Sequence, residues 1–235
     1  MVLGQFSLGW SNDYLDRGSD SAAGRGDKPL AAGMISPGLV QSAAVTGTVA
    51  AVGLSLPLGV LPAVAHGGGL ALGQVHNFGL KRTALSPLPF ALGLPLIPVF
   101  LTEAVRSPHL PAIEVLVASL LVGVGIHFVN AVRDIEGDRR VGVMGLPQRL
   151  GGVPAALLGS AAITIAVVIL LSLPRGLLDG PPIPVVGRIC LLAATVVVAG
   201  AFNVMQSSGH PWRAYRIGIG LAALAVLAMF ARGGL

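Results

Sequence analysis

The sequence predicts an all-α fold, a polytopic bundle of transmembrane helices. Hydrophobic residues make up 54% of the chain and charged residues only 11%, whereas soluble domains carry about 25% charged residues. The mean hydropathy of +0.82 points the same way. The third observation is a series of long uncharged runs, because about 20 apolar residues cross a bilayer core roughly 30 Å thick.

These uncharged runs predict about seven spans. Residues 37–80 contain no Asp, Glu, Lys or Arg, which is enough chain for two spans with a hinge near 53–59. Single spans are predicted at 83–101, 111–129, 153–173, 189–205 and 214–230. The opening MVLGQFSLGW lacks the basic start of a signal peptide and is short for a span. We interpret it as the end of a helix.

The basic residues predict the orientation in the membrane. A net charge of +5 and a pI near 10.3 could suggest nucleic acid, but these residues lie in predicted loops, where the positive-inside rule explains them. Assigning the loops to alternate sides places eleven on one side: Arg17, Arg25, Lys28, Lys81, Arg82, Arg133, Arg139, Arg140, Arg149, Arg213 and Arg216. The other four are Arg106, Arg175, Arg188 and Arg232. The richer side is predicted to be the cytoplasmic face of a bacterial-type cell membrane, and no nucleic-acid partner is expected.

Two acid-rich segments share one spacing. WSNDYLDRGSD at 10–20 and NAVRDIEGD at 130–138 align as two sets of one amide and two carboxylates, Asn12, Asp16 and Asp20 with Asn130, Asp134 and Asp138. The identities continue downstream, where Gly24, Pro29 and Gly33 align with Gly142, Pro147 and Gly151. A spacing of four places each set on one face of a helix. The segments are therefore interpreted as parts of two half-repeats.

The residue types in these segments favour a metal site. Amide and carboxylate oxygens suit a hard cation, and Mg²⁺ is usually held by a few carboxylates together with water and phosphate oxygens. Four predicted spans separate the segments, which places both on the same side of the membrane. The sequence thus predicts a dinuclear or trinuclear Mg²⁺ site for a diphosphate. The alternative is a pair of solvated helix ends, which explains poorly why seven of the ten acidic residues fall in or just after these two segments: Asp13, Asp16, Asp20, Asp27, Asp134, Glu136 and Asp138.

At this point the chain resembles a known family. NDYLDRGSD followed by DKPLAAGMIS, and NAVRDIEGD followed by GLPQRLG, resemble the two Asp-rich motifs of the UbiA-type intramembrane prenyltransferases. HNFGLKR at 76–82 resembles the family segment in which a Tyr precedes Lys or Lys-Arg. The resemblance implies a bundle of nine helices around a cavity capped by the motif-bearing loops. Residues 1–235 are accordingly predicted to be a single transmembrane prenyltransferase domain that lacks the first helix and most of the second.

The resemblance also implies the site residues and the cofactor, Mg²⁺. The implied metal and diphosphate ligands are Asn12, Asp16, Asp20, Asn130, Asp134 and Asp138. Asp13 is the candidate catalytic base, with a diphosphate oxygen as the alternative. The implied diphosphate contacts are Lys28, Lys81, Arg82 and Arg133. Two positions depart from the family pattern: His76 replaces the Tyr, and Lys28 stands where many members have Arg, which loses a bidentate fork.

The implied activity is transfer of a prenyl or polyprenyl group from an allylic diphosphate to an acceptor within the membrane. The expected acceptor is aromatic, such as a hydroxybenzoate or naphthoate, although a lipid acceptor is also considered. Three alternatives stay open: an intramembrane terpene cyclase with the same metal motifs, an inactive truncated remnant, and a transporter or cation-binding protein that uses acidic helix ends.

Overall fold

The fold is a helical bundle, in agreement with the prediction. A computed structural model describes residues 1–22, 24, 26–173, 182–230 and 232–233 of the chain; Arg25 and Arg175 of the topology prediction lie outside them. The described helices are α1 (Val2–Ala22), α2 (Pro37–Gly53), α3 (Val60–Asn77), α4 (Leu88–Gly93), α5 (Leu96–Glu103), α6 (Ile113–Ala131), α7 (Ile135–Arg140), α8 (Leu146–Leu150), α9 (Gly152–Ser172), α10 (Val185–Ser207) and α11 (Pro211–Phe230). Two 3₁₀ turns span Leu56–Leu58 and Leu80–Arg82, and two short parallel strands pair β1 (Pro182–Ile183) with β2 (Arg232–Gly233).

Each predicted span corresponds to a helical region. By length and composition, five are long and apolar enough to cross a membrane: Pro37–Leu58, Ile113–Ala131, Gly152–Ser172, Val185–Ser207 and Pro211–Met229. The other two are α3 and the pair α4 and α5. The predicted hinge near 53–59 is also present, because α2 ends at Gly53 and Gly59 adopts φ 124° before α3 begins.

The predicted span at 83–101 is wrong in its start and its continuity. The helix begins at Leu88 and is interrupted between Gly93 and Leu96. Pro95 explains the interruption, because proline has no N–H to donate to the carbonyl four residues earlier. The Leu94 N–H donates to the Phe90 carbonyl at 3.0 Å, and across the interruption the Ile97 N–H makes a tighter i to i+3 bond to the Leu94 carbonyl at 3.1 Å.

The opening segment and the first acidic motif form one continuous helix, α1, of 21 residues. Polar contacts attach α1 to α3, since Ser11 Oγ donates to Gln74 Oε1 at 2.6 Å and Asn77 Nδ2 donates to the Leu8 carbonyl at 3.0 Å. α1 therefore carries its acidic end in a fixed position relative to the end of α3.

The main apolar core lies where α6, α9, α10 and α11 meet. Its fully buried side chains include Val122, Val129, Ile163, Phe202 and Leu221. Small residues let the helices approach closely, as is usual in lipid. A Cβ atom on Gly125 of α6 would lie 2.4 Å from Cγ1 of Ile163 on α9. This core holds α6, and with it the start of the second acidic motif.

Candidate active site

The two acidic motifs lie at the same end of the bundle and face one cavity of about 800 Å³. All six predicted oxygen ligands line it, together with two of the four predicted basic contacts: Asn12, Asp16, Asp20, Asn130, Asp134, Asp138, Lys81 and Arg133. Segments more than 100 residues apart in sequence therefore contribute to one site.

The two motifs differ in backbone structure. Asn12, Asp16 and Asp20 lie on a single face of α1, as the spacing predicts. The prediction of one helical face is wrong for the second motif, because α6 ends at Ala131 and α7 begins at Ile135. The backbone tightens between them, with the N–H of Asp134 donating to the Ala131 carbonyl at 3.0 Å, an i to i+3 bond. All three residues of the second motif still reach the cavity.

The segments that follow the two motifs share unusual backbone conformations. Gly24 and its aligned partner Gly142 have φ values of 68° and 76°. Gly33 and its aligned partner Gly151 have φ values of 73° and 91°. Left-handed backbone favours glycine because a Cβ atom is strained there. Downstream of the motifs, the sequence repeat is therefore also a repeat of backbone conformation at the aligned glycines.

Each of these segments folds back so that a side chain contacts the last aspartate of its motif. Lys28 donates to Oδ2 of Asp20 at 2.8 Å. Gln148 donates through Nε2 to Oδ2 of Asp138 at 2.7 Å. The two half-repeats thus fix equivalent carboxylates with different donors, one charged and one neutral.

Lys28 also bridges to Asp13, whose Oδ1 lies 3.0 Å from Nζ. Burial acts to lower the Lys28 pKa, but hydrogen bonds and charge interactions with Asp20 and Asp13 outweigh it, and the pKa is raised. Asp13 is not among the residues that line the cavity. Its neighbour Asn12 occupies the cavity face of α1, and consecutive helical residues point about 100° apart.

Lys81 lies in the 3₁₀ turn that follows α3, and its side chain contacts the first acidic motif. Its ammonium nitrogen is 2.6 Å from Oδ1 of Asp16 and 3.0 Å from Oδ1 of Asn12. The adjacent Arg82 belongs to the same 3₁₀ turn but does not line the cavity. Lys81 is the one of this pair that the structure places at the site.

Arg133 is held on two sides. Its Nε donates to Oδ2 of Asp134 at 2.9 Å. Its guanidinium carbon lies 4.0 Å from the ring centroid of Tyr215 and 5.3 Å from that of Trp212, both on α11, which is cation–π geometry. These aromatic residues, which the sequence analysis did not identify, orient the Arg133 side chain beside the second motif.

The pKa of Asp138 depends on charged residues of both motifs. Burial raises the pKa of its carboxyl, and the nearby charges of Asp134 and Asp16 raise it further. The hydrogen bond from Gln148 and the positive charge of Lys81 act in the opposite direction. Asp16 belongs to the first motif, so the carboxylates of both halves repel one another across the cavity.

The amide and carboxylate oxygens that line the cavity fit Mg²⁺ bound together with a phosphorylated ligand. Within the described part of the chain, no three His, Cys, Asp or Glu side chains converge on a single metal position. Mg²⁺ needs no such cage, since it is usually held by one or two carboxylates, with waters and substrate phosphates completing its shell. Oxygen atoms on both walls of the cavity supply such partial shells.

A second cavity of about 400 Å³ adjoins the first and is lined mainly by apolar groups of α1, α3, α4 and α5. We call it the apolar chamber. Leu8, Leu70, Ile97 and Phe100 are among its walls. Comparison of the two linings shows three shared residues, Asn12, His76 and Phe90. These three, the junction residues, mark where the polar cavity meets the chamber.

A polar cavity that adjoins an apolar chamber inside a bundle of apolar helices is the arrangement expected of an intramembrane enzyme. A sequence model of the UbiA prenyltransferase family matches residues 1–224. The chain belongs to this family and is an integral membrane prenyltransferase.

Two curated relatives are similar over most of their length. Digeranylgeranylglyceryl phosphate synthase of Methanopyrus kandleri is 26% identical, with 92% of this chain and 80% of the relative aligned. The bacteriochlorophyll synthase 33 kDa chain of Cereibacter sphaeroides is 29% identical, with 92% of this chain and 75% of the relative aligned.

Solved structures share the fold. A UbiA homologue from Archaeoglobus fulgidus bound to GPP and Mg²⁺ superposes with a TM-score of 0.65 at 15% identity, covering 97% of this chain and 87% of the homologue. A structure of digeranylgeranylglyceryl phosphate synthase gives a TM-score of 0.60 at 16% identity, covering 97% and 84% of the two chains.

Proposed function

We propose that this enzyme catalyses the Mg²⁺-dependent transfer of a prenyl or polyprenyl group from an allylic diphosphate to an acceptor within the membrane. The observation that carries the proposal is the junction itself. An oxygen-lined cavity with lysine and arginine in its wall adjoins an apolar chamber, so one substrate can place its diphosphate in the first and its hydrocarbon in the second.

In this proposal the motif residues hold the metal and the diphosphate. The ligands are Asn12, Asp16, Asp20, Asn130, Asp134 and Asp138. Mg²⁺, when bound, supplies positive charge to the leaving diphosphate. Lys81 and Arg133 supply further positive charge from the cavity wall. Lys28 approaches the same site through Asp20, and Arg82 from the neighbouring turn is the more distant candidate.

The apolar chamber protects the reacting carbon. When the bond between C1 of the prenyl chain and the diphosphate oxygen breaks, the electron pair leaves with the diphosphate and C1 becomes electrophilic. Water would capture this carbon, and walls such as Leu70, Ile97 and Phe100 reduce its access. The nucleophile that reaches C1 at the junction then determines the product.

The acceptor we propose is a hydroxybenzoate- or naphthoate-like aromatic compound. The rings of Phe90, His76 and His127 support this choice, since their centroids lie 5.0–5.5 Å apart at the junction. Aromatic faces and edges favour a further planar ring. The excess of basic residues at this end of the bundle supports an orientation with the site on the cytoplasmic side.

The test uses membranes containing the full chain, Mg²⁺ and geranyl diphosphate. The acceptors are 4-hydroxybenzoate, a hydroxynaphthoate and geranylgeranylglyceryl phosphate, the last covering the lipid alternative. Prenylated 4-hydroxybenzoate or hydroxynaphthoate is the expected product. Transfer only to the lipid would replace the aromatic acceptor, and a cyclic hydrocarbon formed without any acceptor would overturn the transferase assignment in favour of a cyclase.

The metal-site residues are tested by substitution in the same assay. Asp16→Ala and Asp134→Ala are each expected to lower Mg²⁺-dependent turnover by about 10²-fold or more while membrane insertion is retained. Glu136→Ala is the matched control, because Glu136 is an exposed carboxylate of the second motif region that does not line the cavity. Full turnover in both aspartate variants would remove the metal-site assignment.

A further inference from the structure

His76 carries a buried ring nitrogen, Nδ1, that has no hydrogen-bond partner among the described residues. An unpaired buried polar atom costs about 1–3 kcal/mol, so one that persists calls for an explanation such as a catalytic role or a bound partner. His76 also lines both the polar cavity and the apolar chamber. This unsatisfied nitrogen therefore lies where the diphosphate and the hydrocarbon chain of a bound prenyl diphosphate would meet.

Packing fixes the orientation of this ring. Its centroid lies 5.0 Å from that of Phe90 at an interplanar angle of 89°, and 5.5 Å from that of His127 at 84°. Edge-to-face contacts on two sides limit rotation of the imidazole. A ring held in this way is suited to present one nitrogen repeatedly in the same place.

The other groups near the junction are engaged or lack a basic atom. Asn12 accepts from Lys81 through Oδ1, and Phe90 has no polar side-chain atom. His127 lines only the polar cavity, and its Nε2 lies 3.0 Å from Oγ of Ser86. Among the described junction residues, only His76 has a ring nitrogen, Nδ1, without a hydrogen-bond partner.

Asp13, the base expected from the sequence, is less well placed. Its carboxylate contacts Lys28 and it lines neither cavity. A proton released at the junction would have to travel around α1 to reach it. The structure therefore favours a different residue for the proton transfer.

We propose that His76 is the general base that accepts the acceptor's proton during prenyl transfer, an inference that rests on the proposed function. The C1–oxygen bond breaks with its electron pair leaving on the diphosphate. The acceptor supplies the electron pair of the new bond to C1. The acceptor's hydroxyl or ring proton passes to Nδ1 of His76 and then to solvent. The sum is prenylated acceptor and free diphosphate, with no oxidant or reductant required.

The experiment separates proton transfer from donor ionisation. Full-length protein in membranes receives geranyl diphosphate, Mg²⁺ and 4-hydroxybenzoate or a hydroxynaphthoate, and both prenylated product and released diphosphate are measured. For His76→Phe, which keeps a ring in the cluster, transfer is expected to fall by about 10²-fold or more. Acceptor-independent release of diphosphate is expected to persist, so the ratio of transfer to release collapses.

Two further variants exclude a purely structural effect. Imidazole is expected to restore part of the transfer in His76→Ala, whereas pyrazole, a ring of similar size and much lower basicity, is not. His210→Gln removes an exposed histidine that lines neither cavity and is expected to keep the wild-type ratio of transfer to release. Wild-type transfer in His76→Phe, equal loss of transfer and release, or equal rescue by both rings would overturn the assignment. Loss of release in Asp16→Ala would still support the metal site, so the two proposals fail separately.

Discussion

The ammonium nitrogen of Lys81 lies 2.6 Å from a carboxylate oxygen of Asp16, a residue proposed to bind Mg²⁺. Both side chains are largely buried, with 13% and 19% of their surfaces exposed. The protein thus holds its own cation against the carboxylate, and a metal ion must compete with that cation. Diphosphate can resolve this competition, because it offers Lys81 a second anion.

Replacing Lys81 separates these two effects. For Lys81→Met, we expect Mg²⁺ alone to bind roughly five-fold more tightly, since removing the competing ion pair is worth about 1 kcal/mol. Geranyl diphosphate should bind more weakly in the presence of Mg²⁺, because a charge partner is lost. Calorimetric titration of detergent-solubilised protein measures both affinities. Arg82→Met is the control, and equal changes in the two variants would show that general charge, not the contact with Asp16, is responsible.

Replacing Gln148 is expected to shift the pH dependence of Mg²⁺-dependent turnover. Its hydrogen bond favours the ionised form of Asp138 and so lowers a pKa that burial raises. Gln148→Leu removes this bond, and the Asp138 pKa should rise further. A carboxylate with a higher pKa is protonated at higher pH, and Mg²⁺ requires the deprotonated form. The loss of Mg²⁺-dependent turnover on acidification is therefore expected to begin at higher pH.

A pH–rate profile of the Gln148→Leu variant tests this expectation. Gln41→Leu, a change of the same chemistry on α2, should retain the wild-type profile because Gln41 does not line the polar cavity. An acidic limb that coincides with the wild type in Gln148→Leu would show that the hydrogen bond has no influence on metal binding.

The left-handed glycines predict a stability difference. Gly142 has φ 76°, and a Cβ atom there would meet no other atom within 4 Å. Gly142→Ala should thus lower the free energy of unfolding by backbone strain alone, about 1–2 kcal/mol. Gly137→Ala, five residues earlier in α7, also has open space but no positive φ. It should be neutral or stabilising, and thermal unfolding in detergent compares the two.

The contact between α6 and α4 predicts a combined effect on stability and activity. A Cβ atom on Gly123 would lie 2.2 Å from the Phe90 carbonyl oxygen, so Gly123→Ala must displace α4. Overpacking costs about 1–3 kcal/mol, and the displaced segment carries Phe90 to the junction. We expect a lower unfolding temperature together with reduced transfer. Gly200→Ala on α10, where the added atom would meet nothing within 4 Å, should change neither measurement.

The sequence predicts the parts of this structure that depend on local composition. Uncharged runs locate the helices at the seven predicted spans, and the identical spacing of the motifs identifies six residues that line the cavity. The interruption at Pro95 was also present in the sequence, in the proline-rich run SPLPFALGLPLIP, but hydropathy alone treats that run as continuous.

Other features depend on tertiary contacts that no local pattern contains. The break between Asn130 and Asp134 involves no proline or glycine and is visible only in the backbone. The contacts of Arg133 with Tyr215 and Trp212 join residues about 80 positions apart. The sequence marks His76 as a departure from the family pattern, but its place between two cavities follows from how α1, α3 and α4 pack.

The junction of the two cavities also determines how the products separate. In the proposed reaction, the released diphosphate dissolves in water and the prenylated acceptor partitions into the bilayer, so the two products enter different phases. Neither phase returns its product to the other at an appreciable concentration. In the proposed reaction, the concentrations of both products at Asn12, His76 and Phe90 would thus stay low, and the reverse reaction would be slow for lack of its two substrates.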